Sequence, residues 1–211
     1  MKTRSCLLVT AILTLFISTK APCAEDWKWA WPVNLKDSDE PTIHAAAMVE
    51  MARFADVFQG VPVAEEAKAL VARDKSAKDP YAWMGATLDW VARVLQAYPP
   101  APRNQSVREA ALKVLDYPLH VDNQNTTADP KLKQAWQDAV GDYYVRRMSP
   151  ALQEIKAARV DHGLRVWKLY NMGFVVKSRN HTVGFDINPG VPCPLNPEQI
   201  AGLVNELDIL F

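Results

Sequence analysis

Histidine is the side chain most often used as a metal ligand or general base, and four histidines occur among the 211 residues. They are His44, His120, His162 and His181. No two of them have a metal-binding spacing such as His-Glu-x-x-His or His-x-His, and there is no Cys-x-x-Cys motif. We therefore expect each histidine to be structural or solvated, with His44 a surface or capping residue at the start of the first helix.

Other catalytic motifs are also missing from the sequence. It contains no Gly-x-Ser-x-Gly nucleophile elbow, no Gly-x-Gly-x-x-Gly loop and no phosphate-binding Walker loop. Paired acids such as Glu65-Glu66 are expected on solvated helix faces. The sequence thus predicts no catalytic residue and no metal ligand in this chain.

Asp186 is the one acid whose position suggests a role in a site. It ends a predicted strand whose apolar residues Val183, Phe185 and Ile187 alternate onto one face, and it precedes the turn Asn188-Pro189-Gly190. An acid at the carboxyl end of a strand can orient a ligand or a metal-bound histidine without touching the metal itself. The alternative is an Asp that forms the turn by bonding its own loop.

The elements that precede Asp186 are predicted to be helical from 39 to 160, with five or six helices. Apolar residues recur at spacings of three and four, most clearly at Ile43, Ala47, Met51, Phe54 and Phe58. Asp79-Pro80 and Asp129-Pro130 each predict a helix start, with an acidic cap before a proline. Pro150 predicts either the start of a last helix or a kink in the one before it.

A β-rich segment is predicted from 161 to 211, which makes the fold class α+β. The predicted strands are Leu164–Tyr170, Phe174–Lys177 and Thr182–Ile187. Asn196-Pro197 then predicts the start of a helix, and Ile209–Phe211 has the composition of a further buried strand.

The first residues, 1–24, have the features of a cleavable signal peptide. Lys2 and Arg4 precede an uncharged apolar run from Cys6 to Ile17, which is too short to cross a bilayer. Removing residues 1–24 takes away three basic residues and no acid, so the formal net charge falls from 0 to −3. We expect an exported chain, periplasmic or extracellular, with no electrostatic basis for binding nucleic acid or an anionic membrane.

Residues 25–38 form a tryptophan-rich tether that contains Trp27, Trp29 and Trp31. We expect it to lie over a groove of its own domain, and the alternative is an aromatic patch for a sugar or a partner. A Cys23–Cys193 disulfide is possible only if signal cleavage spares Cys23.

The segment 166–187, VWKLYNMGFVVKSRNHTVGFDI, and the later LDILF at 207–211 resemble the opening of metallo-β-lactamase-fold hydrolases, in particular an exported, lactonase-like branch. In that family a strand ending in Asp, a helix and a further strand lead into His-x-His-x-Asp-His, whose side chains bind zinc or a similar metal. Asp186 matches the strand-ending Asp, although Ile187-Asn188 is inserted before Pro189-Gly190. The resemblance covers about the last 50 residues.

None of the family's metal ligands is present, so no metal role is carried over to this chain. We expect the N-terminal portion of an exported metal-dependent hydrolase, inactive by itself, whose zinc and small-molecule substrate would belong to a full-length parent. The alternative is a non-enzymatic helical binding module with a small β cap. A third hypothesis is an enzyme that uses His162 or His181 with Asp186.

Overall fold

The computed structural model describes residues 32–121, 129–169, 173–187 and 197–211. The predicted signal peptide at 1–24, Trp27, Trp29 and Trp31 of the tether, and the two cysteines of the possible disulfide lie outside the described residues. The described residues form an α+β fold, in which six α-helices precede a small mixed β-sheet. The predicted fold class is therefore confirmed at this level.

Helices α1 to α6 occupy the predicted helical region. Their bounds are Glu40–Val57, Pro62–Asp74, Ala82–Ala97, Gln105–Leu119, Pro130–Trp136 and Asp142–Ala157. A short 3₁₀ turn, Pro102–Asn104, leads into α4, and a π-helical turn, Gln137–Gly141, joins α5 to α6.

The helix starts test the predicted caps. Asp129 caps α5 by accepting the N–H of Lys131, and the helix begins at Pro130 as predicted. The prediction for Asp79-Pro80 is wrong, since α3 begins only at Ala82. The carboxylate of Asp79 accepts the N–H of Tyr81 at 2.9 Å and so closes a turn before the helix.

The first helix confirms the predicted apolar stripe. Ile43, Met51 and Phe54 are fully buried, and Phe54 meets the indole of Trp90 on α3 edge to face, with ring centroids 4.8 Å apart. Such aromatic pairs add to the free energy gained by burying apolar area. Helices α1 to α4 enclose the core around Met51, Phe54 and Trp90, and all four helices contribute buried side chains to it.

Helix α6 continues through Pro150, so of the two alternatives predicted for this residue the helix start is wrong and the position within a helix is confirmed. Its first turns bury Tyr143 and Tyr144 in the core of the helical region. Its later turns bury Met148 and Ile155 against the sheet. One helix therefore contributes to the cores on both sides of it.

The sheet follows α6 and has the strand order β1-β2-β3-β4. The strands are Arg165–Lys168, Phe174–Lys177, Thr182–Phe185 and Ile209–Leu210, and helix α7, Pro197–Val204, lies between the last two in sequence. Neighbouring strands are antiparallel except that β3 and β4 are parallel. The described parts of all four predicted strands are confirmed in place, with β1, β3 and β4 shorter than predicted. The predicted burial of the last strand is wrong, because β4 lies at the edge of the sheet with Ile209 44% and Leu210 49% exposed.

The predicted alternation along β3 breaks at Asp186, which has a positive φ of 51°. A left-handed residue turns the chain, so Ile187 lies on the Gly184 side of the sheet and not with Phe185. A Cβ at Gly184 would collide with Cδ1 of Leu207, so that side chain would have to shift to admit a larger residue. The predicted shared face of Val183, Phe185 and Ile187 is thus wrong for Ile187.

Among the helices of the described residues, none is both long enough and apolar enough to cross a membrane.

Candidate functional site

Asp186 lies at the carboxyl end of β3, one residue beyond the strand. Its backbone N–H donates to the carbonyl of Phe211 at 2.9 Å, and the N–H of Phe211 donates to the carbonyl of Gly184 at 2.9 Å. These two hydrogen bonds continue the parallel β3–β4 pairing. The carboxyl ends of both strands, and the exposed Asp186, therefore lie side by side at one end of the sheet.

The two histidines near the sheet lie at its opposite end. His181 precedes β3, and five residues of extended chain separate it from Asp186 by about 16 Å. His162 precedes β1, whose first residue pairs with Lys177, the partner of Thr182. Both histidines are exposed. The structure therefore does not bring either of them to Asp186, and the third sequence hypothesis loses its geometric basis.

The described residues do not fit a metal centre. No group of three or more His, Cys, Asp or Glu side chains in 32–121, 129–169, 173–187 and 197–211 is arranged to hold an ion. Nδ1 of His120, at the end of α4, instead lies 2.8 Å from the backbone carbonyl and 3.4 Å from the carboxylate of Asp116 on its own helix, and the interaction with the carboxylate raises the pKa of the imidazole. A zinc or other divalent metal would need ligands that these residues do not supply.

The end of the sheet that carries Asp186 also exposes apolar surface. The rings of Phe185 and Phe211 stack with centroids 5.4 Å apart. Leu210 is 49% exposed and Phe211 73% exposed. Apolar side chains grouped in this way mark a surface that gains free energy when it is covered.

A cluster of polar side chains lies in the helical region, and no pattern in the sequence predicted it. His44 lies in the second turn of α1, where Asp39 and not His44 caps the helix. The Nε2 atom of His44 is 2.9 Å from Oδ1 of Asp74, the last residue of α2. The imidazole also stacks on the indole of Trp83 at 4.8 Å with an interplanar angle of 5°.

The indole of Trp83 is fixed in turn by a buried acid. Its Nε1–H donates to Oε1 of Glu40 at 2.8 Å. Burial raises the pKa of Glu40, because its charged form has lost water, although the bond from Trp83 acts in the opposite direction. Four side chains from α1, α2 and α3 thus form a connected cluster. Only the apolar periodicity of α1 and α3 hinted that these helices would meet.

A cavity of about 210 Å³ opens beside this cluster. It lies between α1, the end of α2 with the turn after it, and α3. Its lining residues include Met48, Met51, Arg73, Asp74, Trp83 and Thr87. The cavity is a partly open recess with mostly apolar walls and charge at one side.

Glu50 and Lys113 form an ion pair inside the helical core. The Nζ atom of Lys113 on α4 is 2.9 Å from Oε1 of Glu50 on α1, and their side chains are 0% and 5% exposed. Oε2 of Glu50 and the hydroxyl of Tyr117 are buried without a hydrogen-bond partner in the described structure. The pair joins two helices and has no opening to solvent, so we assign it to the framework.

No protein-family model, curated protein or solved structure matches the chain.

Proposed function

We propose that residues 161–211 are the opening part of a metal-dependent hydrolase of the metallo-β-lactamase fold, and that the whole chain is the N-terminal portion of an exported enzyme of this kind. The observation that supports this is the β-β-β-α-β order, with β3 and β4 parallel and Asp186 at their shared carboxyl end. This is the order that the sequence resemblance leads us to expect. Zinc or a similar metal and a small-molecule substrate belong to the proposed full-length enzyme.

Asp186 is the residue of this chain with a role in the proposed enzyme. The hydrogen bond from its N–H to the carbonyl of Phe211 keeps it beside the end of β4, the strand that leads toward the metal ligands in the resembled family. A carboxylate there can accept the second ring N–H of a metal-bound histidine and fix its orientation. The chain alone is expected to be inactive, because the His-x-His-x-Asp-His motif of the resembled family does not occur in its sequence.

The first test is the nucleotide sequence after codon 211, translated in all three frames. One frame is expected to encode His-x-His-x-Asp-His within the first residues. If no frame does, the proposal fails.

The second test uses the chain extended by that frame. The extended chain is expected to bind zinc and residues 25–211 are not, as measured by metal analysis after dialysis. Asp186→Asn is expected to lower zinc affinity about 10- to 100-fold. Asp161→Asn, a matched change in the exposed turn before β1, is the control and should leave zinc affinity unchanged. Equal loss in both variants would remove the role assigned to Asp186.

The alternative, a non-enzymatic exported binding module, is favoured by one observation, the preformed cavity in the helical region. The two proposed functions predict different behaviour for residues 25–211 on their own. A binding module is expected to unfold in one cooperative transition as a monomer or dimer. The hydrolase portion is expected to aggregate through the exposed edge near Leu210 and Phe211.

A further inference from the structure

We propose that the cavity between α1, α2 and α3 binds a small organic cation, a ligand with an apolar body and one ammonium group. The observation is a recess that combines methionine and tryptophan walls with a partly buried carboxylate. This inference concerns the helical region and does not rest on the proposed hydrolase.

The size and walls of the cavity limit the ligand. A volume of about 210 Å³ is below the range of drug-sized pockets and suits a body of one small ring or a short branched chain. Met48 and Met51 come from one wall and Trp83 from another. Thioether side chains adapt to irregular apolar shapes, so the walls favour an apolar body without specifying its outline.

The charge beside the cavity favours a cation. Asp74 lines the cavity, and its side chain is 18% exposed. Oδ1 lies 2.9 Å from Nε2 of His44, and a carboxylate has further acceptor positions on its second oxygen. An ammonium group placed there gains a charge-assisted hydrogen bond.

Arg73 also lines the cavity and is the group that would favour an anion instead. It is exposed, so its guanidinium is solvated, and water screens its effect on a ligand. A charge that has lost most of its water acts more strongly on a neighbour than one that has kept it. The carboxylate of Asp74 should therefore decide the sign of the ligand charge.

The cavity walls are held before any ligand arrives. His44 fixes Asp74, Glu40 fixes Trp83, and the hydroxyl of Thr87 donates to Sδ of Met51 at 3.6 Å. Binding would then require little reordering of these side chains, which favours affinity.

The experiment compares three probes with the same body and different charge: cyclohexylammonium, cyclohexanol and cyclohexanecarboxylate. Each is titrated at pH 7 into ¹⁵N-labelled residues 25–211 or, where these aggregate, into the extended chain described above, and amide shifts are followed by NMR. The expected result is that cyclohexylammonium binds about tenfold or more tightly than the other two, with shifts centred on α1, α2 and α3. Tightest binding by the carboxylate, or equal binding of all three, overturns the proposal.

Two neighbouring variants test the assignment of the charge. Asp74→Asn keeps the size and the bond to His44, and is expected to weaken cyclohexylammonium binding about tenfold or more. Arg73→Gln is the matched control and should leave it unchanged or slightly tighter. Asp74 ends α2, where an acid is unfavourable to the helix dipole, so its loss should not unfold the protein. Unchanged binding in a folded Asp74→Asn variant also overturns the proposal.

Discussion

Replacing Lys113 by Met is expected to lower the free energy of unfolding by about 3–5 kcal/mol. Met keeps most of the apolar stem and removes the ammonium group, so Glu50 would remain buried without the partner that lies 2.9 Å away. The other cation near Glu50 is Arg53, which is 4.0 Å from Oε1 and whose side chain is 39% exposed. Such a solvated guanidinium offsets little of the lost interaction.

The loss can be measured by urea unfolding of residues 25–211 at pH 7, followed by circular dichroism. Thermal unfolding gives a second measurement. For a chain of this size, 1 kcal/mol of stability corresponds to about 2–4 °C in Tm, so the Tm of Lys113→Met should be roughly 6–20 °C lower. The double variant Glu50→Met with Lys113→Met removes both charges and is expected to recover most of the loss. Lys133→Met, at an exposed position on α5, is the control and should change stability by less than about 0.5 kcal/mol.

Two results would refute this reasoning. A loss below about 1 kcal/mol in Lys113→Met would mean that Glu50 finds water or another partner when the ammonium is removed. A double variant no more stable than Lys113→Met would mean that the loss comes from packing and not from an uncompensated charge.

Three further changes test other buried groups in the same unfolding assay. Tyr117→Phe removes a buried hydroxyl without a partner, so the free energy of unfolding should stay unchanged or rise by up to about 1–3 kcal/mol. A clear fall in the free energy of unfolding would show that the hydroxyl is hydrogen-bonded. Burial raises the pKa of Glu40 above 4.5, so its contribution to stability is present below pH 4.5 and is lost as pH rises through the raised pKa. Glu40→Gln keeps an acceptor for the indole N–H and should remove this decline, and a variant less stable than the parent at pH 7 would contradict it. Gly184→Ala should lower the free energy of unfolding by about 1–3 kcal/mol, because the new Cβ meets the side chain of Leu207. Gly202→Ala is the control and should not destabilise the protein, because nothing lies within 4 Å of its Cβ position. Equal effects of the two substitutions would disprove the close contact at Gly184.

The helices of the first 160 residues could largely be predicted from local pattern. The stripe from Ile43 to Phe58 is buried as its spacing indicates, because residues on one helical face all point into the interior, the first two into one apolar cluster and the rest into the next. The start at Asp79-Pro80 was wrong for a local reason too. Asp79 bonds the second N–H after it in either a cap or a turn, and the sequence does not distinguish the two.

The polar contacts could not be predicted, because their partners are distant in sequence. His44 and Asp74 are 30 residues apart, and Lys113 is 63 residues from Glu50. A lysine within an otherwise amphipathic helix is expected in solvent, and only the packing of α4 on α1 makes it a core residue. The position of Asp186 at a strand end could be predicted, but its positive φ could not.

The sharing of α6 between two cores has a consequence for how this chain could be divided or recombined. A cut at Asp161, where the sequence changes character, would remove the sheet but leave Met148 and Ile155 on an exposed helix. A cut before α6 would take Tyr143 and Tyr144 from the helical core. Neither part can therefore be transferred to another protein as a separate domain with a complete core. Recombination that preserves both interiors must therefore transfer the helical and β-rich parts together.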